Sequence, residues 1–202
     1  MSVIMIILGI LSELINFVIV SGKVNNPLFD TIIIVNNIIG GIIGIVAAII
    51  GLKWYYRATW NIRSFGAKEV TSPRMAVIWW FIPLFHLWEP YRFTQQISKA
   101  SNPEIMLTNG IEWKNNPSSS IVKIWWLLIL VSLIGVFTVN LIDSYFLTLS
   151  GIQVGLLDEI SDPNLRFLED VFYIISIISM IFFIPMIKKI SSRQEIKSGF
   201  SI

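Results

Sequence analysis

Four long apolar runs alternate with polar segments along the chain. They lie at about residues 3–20, 28–52, 121–142 and 171–187. A helix needs about 20 apolar residues, within a range of about 17–25, to cross a hydrocarbon layer of about 30 Å. The pattern therefore predicts an all-α integral membrane protein with four transmembrane helices, folded as a single membrane domain over residues 1–202.

A fifth apolar run, at residues 72–91, is too short to cross. Its apolar part is about 14 residues long, which a helix extends over roughly 21 Å. Ser72 and Pro73 form a typical helix start. Pro83 and Pro90 then interrupt the run, because each removes an amide donor and frees the carbonyl four residues earlier. We expect a proline-broken helical element that is re-entrant or lies along the membrane surface.

The polar segments predict three further features. Residues 92–120 form a polar region that starts with a short amphipathic helix ending near Ala100. Within it, the pair Asn109–Gly110 is typical of a tight turn between two strands, which predicts a small hairpin. Residues 143–170 carry six carboxylates against the single basic residue Arg166, which predicts an acidic loop.

The distribution of charge predicts the topology. Nine lysines and arginines, against four acids, lie from the end of the second run to the start of the third, and residues 188–197 are also basic. Basic segments remain in the cytoplasm, so both termini are expected inside and residues 143–170 outside. A crossing by residues 72–91 would reverse this parity. We therefore predict a multi-pass protein of the cell (cytoplasmic) membrane with four spans.

Two kinds of residue in the predicted spans are informative. Gly40, Gly44 and Ala48 repeat every four residues, which indicates a groove where another helix packs closely, within the monomer or across a dimer. Polar residues inside a span face a partner or a cavity, because burying them in lipid is costly. The intramembrane polar candidates are Glu13, Asn36 and Asn37.

The composition argues against several kinds of chemistry. Of the 202 residues, 54% are hydrophobic and 14% charged, and there is no cysteine and one histidine, His86. Disulfides and thiolate ligands are excluded, and no metal or other cofactor is predicted. A net charge of +2 gives no indication of nucleic-acid binding. No catalytic motif occurs at a recognisable spacing, so the protein is expected not to be an enzyme.

Aromatic and basic residues suggest a binding site beside the broken element. Arg57 and Asn61 are four apart on a predicted helix, so they share a face that could hold an anionic group. His86 and Glu89 are three apart and could handle a proton on one helical face. The alternative is that these residues only anchor helices at the membrane surface. The candidate ligand- or lipid-binding residues are Arg57, Asn61, Arg63, Arg74, Trp80, Pro83, His86, Glu89 and Tyr91.

Several motifs in this region resemble a known family. They are Trp54-x-x-Arg57-x-x-x-Asn61, Phe65-Gly66, Ser72-Pro73, Trp80-Phe81-Ile82-Pro83 and Pro90-Tyr91. From about Leu52 to the end, the chain is similar to a bacterial membrane family known as domain of unknown function 4328. His86 and Glu89 depart from that family's pattern, in which asparagine and a basic residue are common at these positions. The resemblance implies a multi-span membrane protein of the bacterial inner membrane and carries no established activity.

These observations favour a non-enzymatic membrane module that binds membrane lipids or a partner membrane protein, as an accessory or scaffold. The alternative is a small homo-oligomeric transporter or channel with its site at the broken helix of residues 72–91, because unwound backbone can meet a substrate there.

Overall fold

The computed structural model describes residues 27–150 and 163–199, and within these ranges every regular element is helical. The predicted span at residues 3–20, with Glu13, lies outside the described residues. In chain order the elements are α1 (Pro27–Ser64), α2 (Pro73–Ile78), α3 (Pro83–His86), α4 (Glu89–Ala100), a 3₁₀ helix (Glu112–Asn115), α5 (Ser120–Ser150) and α6 (Pro163–Gly199). The all-helical prediction is confirmed for the described part of the chain.

Three of the described helices are long and apolar enough to cross a membrane. The qualifying segments are Ile34–Ser64 of α1, Ser120–Ile142 of α5 and Asp170–Gly199 of α6. They correspond to the last three of the four predicted spans. The helices also continue beyond the apolar runs: α5 extends to Ser150 and α6 begins at Pro163, so both ends of the segment expected to be an acidic loop are helical.

The chain divides into two compact units. Among the described residues, the first contains those up to Ser118 and those from Ile187 onwards, and the second contains those from Ser119 to Met186. Helix α6 therefore contributes its earlier turns to the second unit and its last turns to the first.

The core of the first unit forms around α4. Phe93 and Ile97 of this helix are fully buried, together with Ile62 of α1 and Ile190 of α6. Burying a side chain of this size stabilises a fold by roughly 1.5–3 kcal/mol. The predicted amphipathic helix is thus present, and it begins at Glu89 because Pro90 is well tolerated in a first helical turn.

The second unit contains a close approach of two long helices. Ser132 of α5 donates a hydrogen bond from Oγ to the carbonyl of Phe172 on α6, at 3.2 Å. A Cβ atom at Gly135 would overlap the ring of Phe172, so this position has room only for hydrogen. Trp125 of α5 also stacks on Phe183, with ring centroids 5.3 Å apart. Glycine here permits the contact of the two helices.

The small-residue groove of α1, at Gly40, Gly44 and Ala48, is not filled by another described helix. A Cβ atom at Gly44 or Gly51 would meet nothing within 4 Å in the part of the chain that the structure describes. The predicted helix–helix contact at this groove is therefore not made by any described residue.

The predicted hairpin around Asn109–Gly110 is wrong, since residues 105–111 form no strand. The Glu112 carboxylate organises this loop instead. It accepts hydrogen bonds from the amides of Asn109 and Gly110, at 2.6 and 2.9 Å, and from the Thr108 hydroxyl at 2.7 Å. These donors favour the charged form, and they lower the pKa of Glu112 to about 2, with the Asn109 amide contributing most.

Candidate functional site

The predicted break in the apolar run at residues 72–91 lies between two short helices. The hydroxyl of Ser72 accepts a hydrogen bond from the Met75 amide at 3.3 Å and starts α2, which ends at Ile78. Pro83 then occupies the first turn of α3. Because proline lacks an amide donor but has a helical φ, it begins a new helix here and does not bend an existing one.

His86 closes the turn between α2 and α3. Its Nδ1 lies 2.8 Å from the carbonyl oxygen of Trp80. A carbonyl can only accept, so Nδ1 carries the hydrogen in this contact. The imidazole also lies edge-on to the Trp80 indole, at 5.3 Å between centroids. The residue therefore has a structural role in holding the break.

Trp80 connects the break to the core of the first unit. Its ring centroid is 5.5 Å from that of Tyr55 on α1 and 6.3 Å from that of Phe93 on α4. The hydroxyl of Thr94 also lies 3.4 Å from the Tyr55 hydroxyl. The apolar stretch of α1 ends at Leu52, three residues before Tyr55. The break is thus placed beside the end of that apolar stretch.

The helices of the first unit have a consistent direction relative to α1. Tyr55 contacts Phe93 near the start of α4. Further along α1, the carbonyl of Ala58 is joined to Ser101, just after α4, through the amide of Gln194. Helix α4 therefore runs in the same direction as α1, away from the apolar stretch.

Helix α2 runs in the opposite direction. Thr71, before α2, donates to the side-chain oxygen of Gln96 in the middle of α4. Trp80, after α2, lies beside Phe93 near the start of α4. The chain therefore returns towards the end of the apolar stretch of α1, and it reverses at the break.

We name residues 79–88, where the chain reverses, the apex. Phe81 and Leu84 are each 70% exposed, although both are large apolar side chains. The sequence contains no charged residue from Met75 to Trp88. The other large apolar side chains exposed at the apex are Phe85, Leu87 and Trp88. An exposed apolar surface of this kind is a candidate interaction site.

His86 and Glu89 do not share one helix, contrary to the sequence prediction. His86 ends α3, and Glu89 begins α4 after the cap at Leu87 and Trp88. The buried carboxylate of Glu89 pairs with the exposed Arg92 at 2.8 Å. The described residues hold no group of three or more histidines and acids that could bind a metal ion.

Arg57 and Asn61 have different environments. Arg57 is exposed and makes no hydrogen bond or ion pair with any described residue. Asn61 donates from its side-chain amide to Oε1 of Gln194 on α6, at 2.9 Å. That contact uses one of the two N–H donors of the side-chain amide, which was expected to face an anion.

The other sequence candidates are scattered over the first unit. Arg63 is exposed and donates to the Val70 carbonyl at 3.4 Å, and Arg74 is exposed in the first turn of α2. Pro83 is exposed, and Tyr91 and Asn36 are half-buried. The side chain of Asn37 lies outside the description.

Two residues near the end of α6 were missed by the sequence analysis. Gln194 donates to Ala58 and Ser101 and accepts from Asn61. Lys197 is 9% exposed and donates to the carbonyls of Ala100, Asn102 and Ile105. The available signal was their spacing: Ile190, Gln194 and Lys197 follow the repeat of one helical face.

A family model matches most of the chain. The family model "Domain of unknown function (DUF4328)" matches residues 27–192, from the first turn of α1 to the last turns of α6. The resemblance found in the motifs is confirmed, and the match begins earlier than the expected Leu52. No curated protein and no solved structure matches the chain.

Proposed function

The chain belongs to the family of the Domain of unknown function (DUF4328). We propose that it is a non-enzymatic integral membrane module whose apex binds membrane lipid. The observation that carries this proposal is the exposure of Phe81 and Leu84 beside the end of the apolar stretch of α1. In water, such a surface is unfavourable, whereas in one leaflet of a bilayer it is buried in hydrocarbon.

The aromatic residues of the apex suit the depth that this proposal gives it. Trp79, Phe85 and Trp88 form a chain of ring contacts, with centroids 4.5 and 5.3 Å apart. Tryptophan is enriched at the level of lipid headgroups, where one edge of the ring is apolar and the other is hydrated. The apex would thus enter one leaflet without crossing it.

The proposed topology has four spans, with residues 53–120 and both termini on the cytoplasmic side of the bacterial cell membrane. It is supported by the excess of basic residues between Lys53 and Lys123. Single cysteines test it cleanly because the chain has none of its own. A cysteine at Met106 should react only with reagent from the cytoplasmic side, and one at Tyr145 only from outside. Labelling of both from the same side contradicts the topology.

Spin labels measure the depth of the apex. Labels are placed at Phe81→Cys and Leu84→Cys in lipid nanodiscs, and relaxation by oxygen is compared with relaxation by a water-soluble nickel complex. We expect oxygen to relax the label more strongly than the nickel complex at both positions, as it does in hydrocarbon. The control is Met106→Cys, which is 83% exposed beyond the opposite end of α4, and there the nickel complex should dominate.

Two other outcomes of the depth measurement would overturn the proposal. If the labels at the apex behave like the label at Met106, the apex lies in water and lipid binding fails. If neither reagent reaches them, protein covers the apex, which favours a partner membrane protein over lipid.

The transporter or channel alternative is tested by native mass spectrometry in mild detergent. Retained lipid on a single chain supports the lipid-binding module. A closed homo-oligomer that conducts ions in a planar bilayer would establish the alternative in its place.

A further inference from the structure

Helices α1 and α6 meet along a short seam in the first unit. Trp54 donates from Nε1 to the Ser191 hydroxyl at 3.2 Å, and Asn61 donates to Gln194 at 2.9 Å. These two contacts show that the helices run in the same direction here. The seam starts where both helices leave their apolar stretches, at Leu52 and at Ile187.

One flank of the seam is buried. Tyr55 and Ile62 of α1 lie on this flank, as do Ile190 and Lys197 of α6, and each is less than a tenth exposed. Helix α4 covers Tyr55 through Phe93, and the end of α4 and the segment after it cover Lys197. This flank is fully used by the fold.

The opposite flank is exposed and basic. Arg57 follows Trp54 by three residues, and Lys188 precedes Ser191 by three, so each lies within one helical turn of the Trp54–Ser191 contact. The register that buries Tyr55 and Ile190 places Arg57 and Lys188 on the other flank. Along the helix axes they are offset by about 9 Å when counted from the Trp54–Ser191 contact and by about 3 Å when counted from the Asn61–Gln194 contact, a gap that two long side chains can bridge through one phosphate. Both side chains are exposed.

The two cations have no acidic partner in the described part of the chain. Glu195 also lies on the exposed flank, one turn after Ser191, and it forms no ion pair with a described residue. A pair of unneutralised cations beside the ends of two apolar helices is complementary to a phosphate that is attached to hydrocarbon chains.

We propose that this seam binds the headgroup of an anionic phospholipid, with its phosphate between Arg57 and Lys188. The guanidinium offers a fork of donors to phosphate oxygens, and the lysine adds a second charge. The acyl chains would follow the exposed apolar side chains of α1, such as Ile45 and Ile49. This inference rests on the proposed membrane function and names the class of lipid and a second site, distinct from the apex.

Lipid selectivity tests the inference. The purified protein is incubated with an equimolar mixture of phosphatidylglycerol and phosphatidylcholine with identical chains, and bound lipid is counted by native mass spectrometry. We expect the wild-type chain to retain phosphatidylglycerol in preference. Arg57→Ala and Lys188→Ala should each reduce that preference several-fold, and the double variant should abolish it.

A matched control separates the site from general charge. Lys68→Ala removes one exposed cation of the same unit, but Lys68 lies beyond the end of α1, where its amide donates to the Gly110 carbonyl. It should keep the wild-type preference. Equal loss in this control would reduce the effect to net charge and overturn the site. Thermal unfolding of every variant should match the wild type, because the substituted side chains are exposed.

The remaining outcomes are decisive as well. If the double variant keeps the full preference, the headgroup does not bind at Arg57 and Lys188. If glycerol 3-phosphate, which has no acyl chains, displaces the lipid at equal concentration, the seam is a site for free phosphate esters and the lipid assignment is overturned. If the wild type shows no preference while the apex labels still report hydrocarbon, this inference fails and the proposed function stands. Labels in water at the apex would instead remove the proposed function.

Discussion

We expect substitution of Lys197 to destabilise the first unit more than substitution of any other polar residue in it. Its ammonium group donates to three backbone carbonyls, of Ala100, Asn102 and Ile105, at 3.0, 3.1 and 3.0 Å. Lys197→Met keeps most of the side-chain volume but leaves these carbonyls without their donor. A hydrogen bond to a charged group contributes about 1.5–3 kcal/mol. Because bonds from one group are not additive, the total loss should be about 3 kcal/mol.

Hydrogen exchange gives a local measurement of this loss. The amides of Ser101 and Ile105 are hydrogen-bonded in the segment that Lys197 holds. A loss of about 3 kcal/mol should speed their exchange by about 100-fold, since each 1.36 kcal/mol is a factor of ten. Lys189→Met is the matched control, because Lys189 is exposed on the same helix.

A specific result would refute the reasoning about Lys197. If Lys197→Met and Lys189→Met exchange at the same rate at Ser101 and Ile105, the three contacts do not stabilise the end of α4. Faster exchange spread evenly over the first unit would indicate global destabilisation, and the local role of the lysine would then be wrong.

Two further predictions concern the helix contact and the loop. Gly135→Ala should lower the free energy of unfolding in detergent by about 1–3 kcal/mol, because the added methyl group would overlap the Phe172 ring. Gly44→Ala is the control and should be neutral or slightly stabilising, because a methyl group there meets no described atom. Equal melting temperatures of the two variants would contradict this prediction. The lowered pKa of Glu112 means that its charged form stabilises the loop above about pH 4.5 and that this contribution is lost as the pH falls towards about 2. The stability difference between wild type and Glu112→Gln should therefore be constant above about pH 4.5 and shrink below it.

The long helices could be predicted because their signal is local. A run of apolar residues of the right length specifies α1, α5 and α6 with little help from the rest of the chain. The proline-broken element was predictable for the same reason, since Pro83 and Pro90 act on their own backbone. The prediction of a hairpin at Asn109–Gly110 was wrong because the Glu112 carboxylate accepts hydrogen bonds from the amides of the turn. Such side-chain hydrogen bonds compete with the pairing of strands.

The candidate site was only partly predictable because its contacts are long-range. Asn61 and Arg57 were correctly placed on one helix, but the partner of Asn61 is Gln194, far along the chain. No local pattern indicates that pairing. In the sequence, Lys197 was one of several basic residues that indicated only the topology. Its burial could not be predicted, because the carbonyls that accept its hydrogen bonds come from distant parts of the chain.

The continuity of α1 has a mechanical consequence. The helix contains neither glycine nor proline between Leu52 and Ser64, the usual causes of a kink, so this part behaves as a stiff lever. Tyr55 lies against Trp80 at the apex, which provides a fulcrum near the inner end of the lever. Ser64 lies about 13 Å further along the axis, so a change of about 10° in tilt would move it by about 2 Å. A small rotation of the apolar stretch would thus be transmitted, without loss in a hinge, to the hydrogen-bonded end of the first unit.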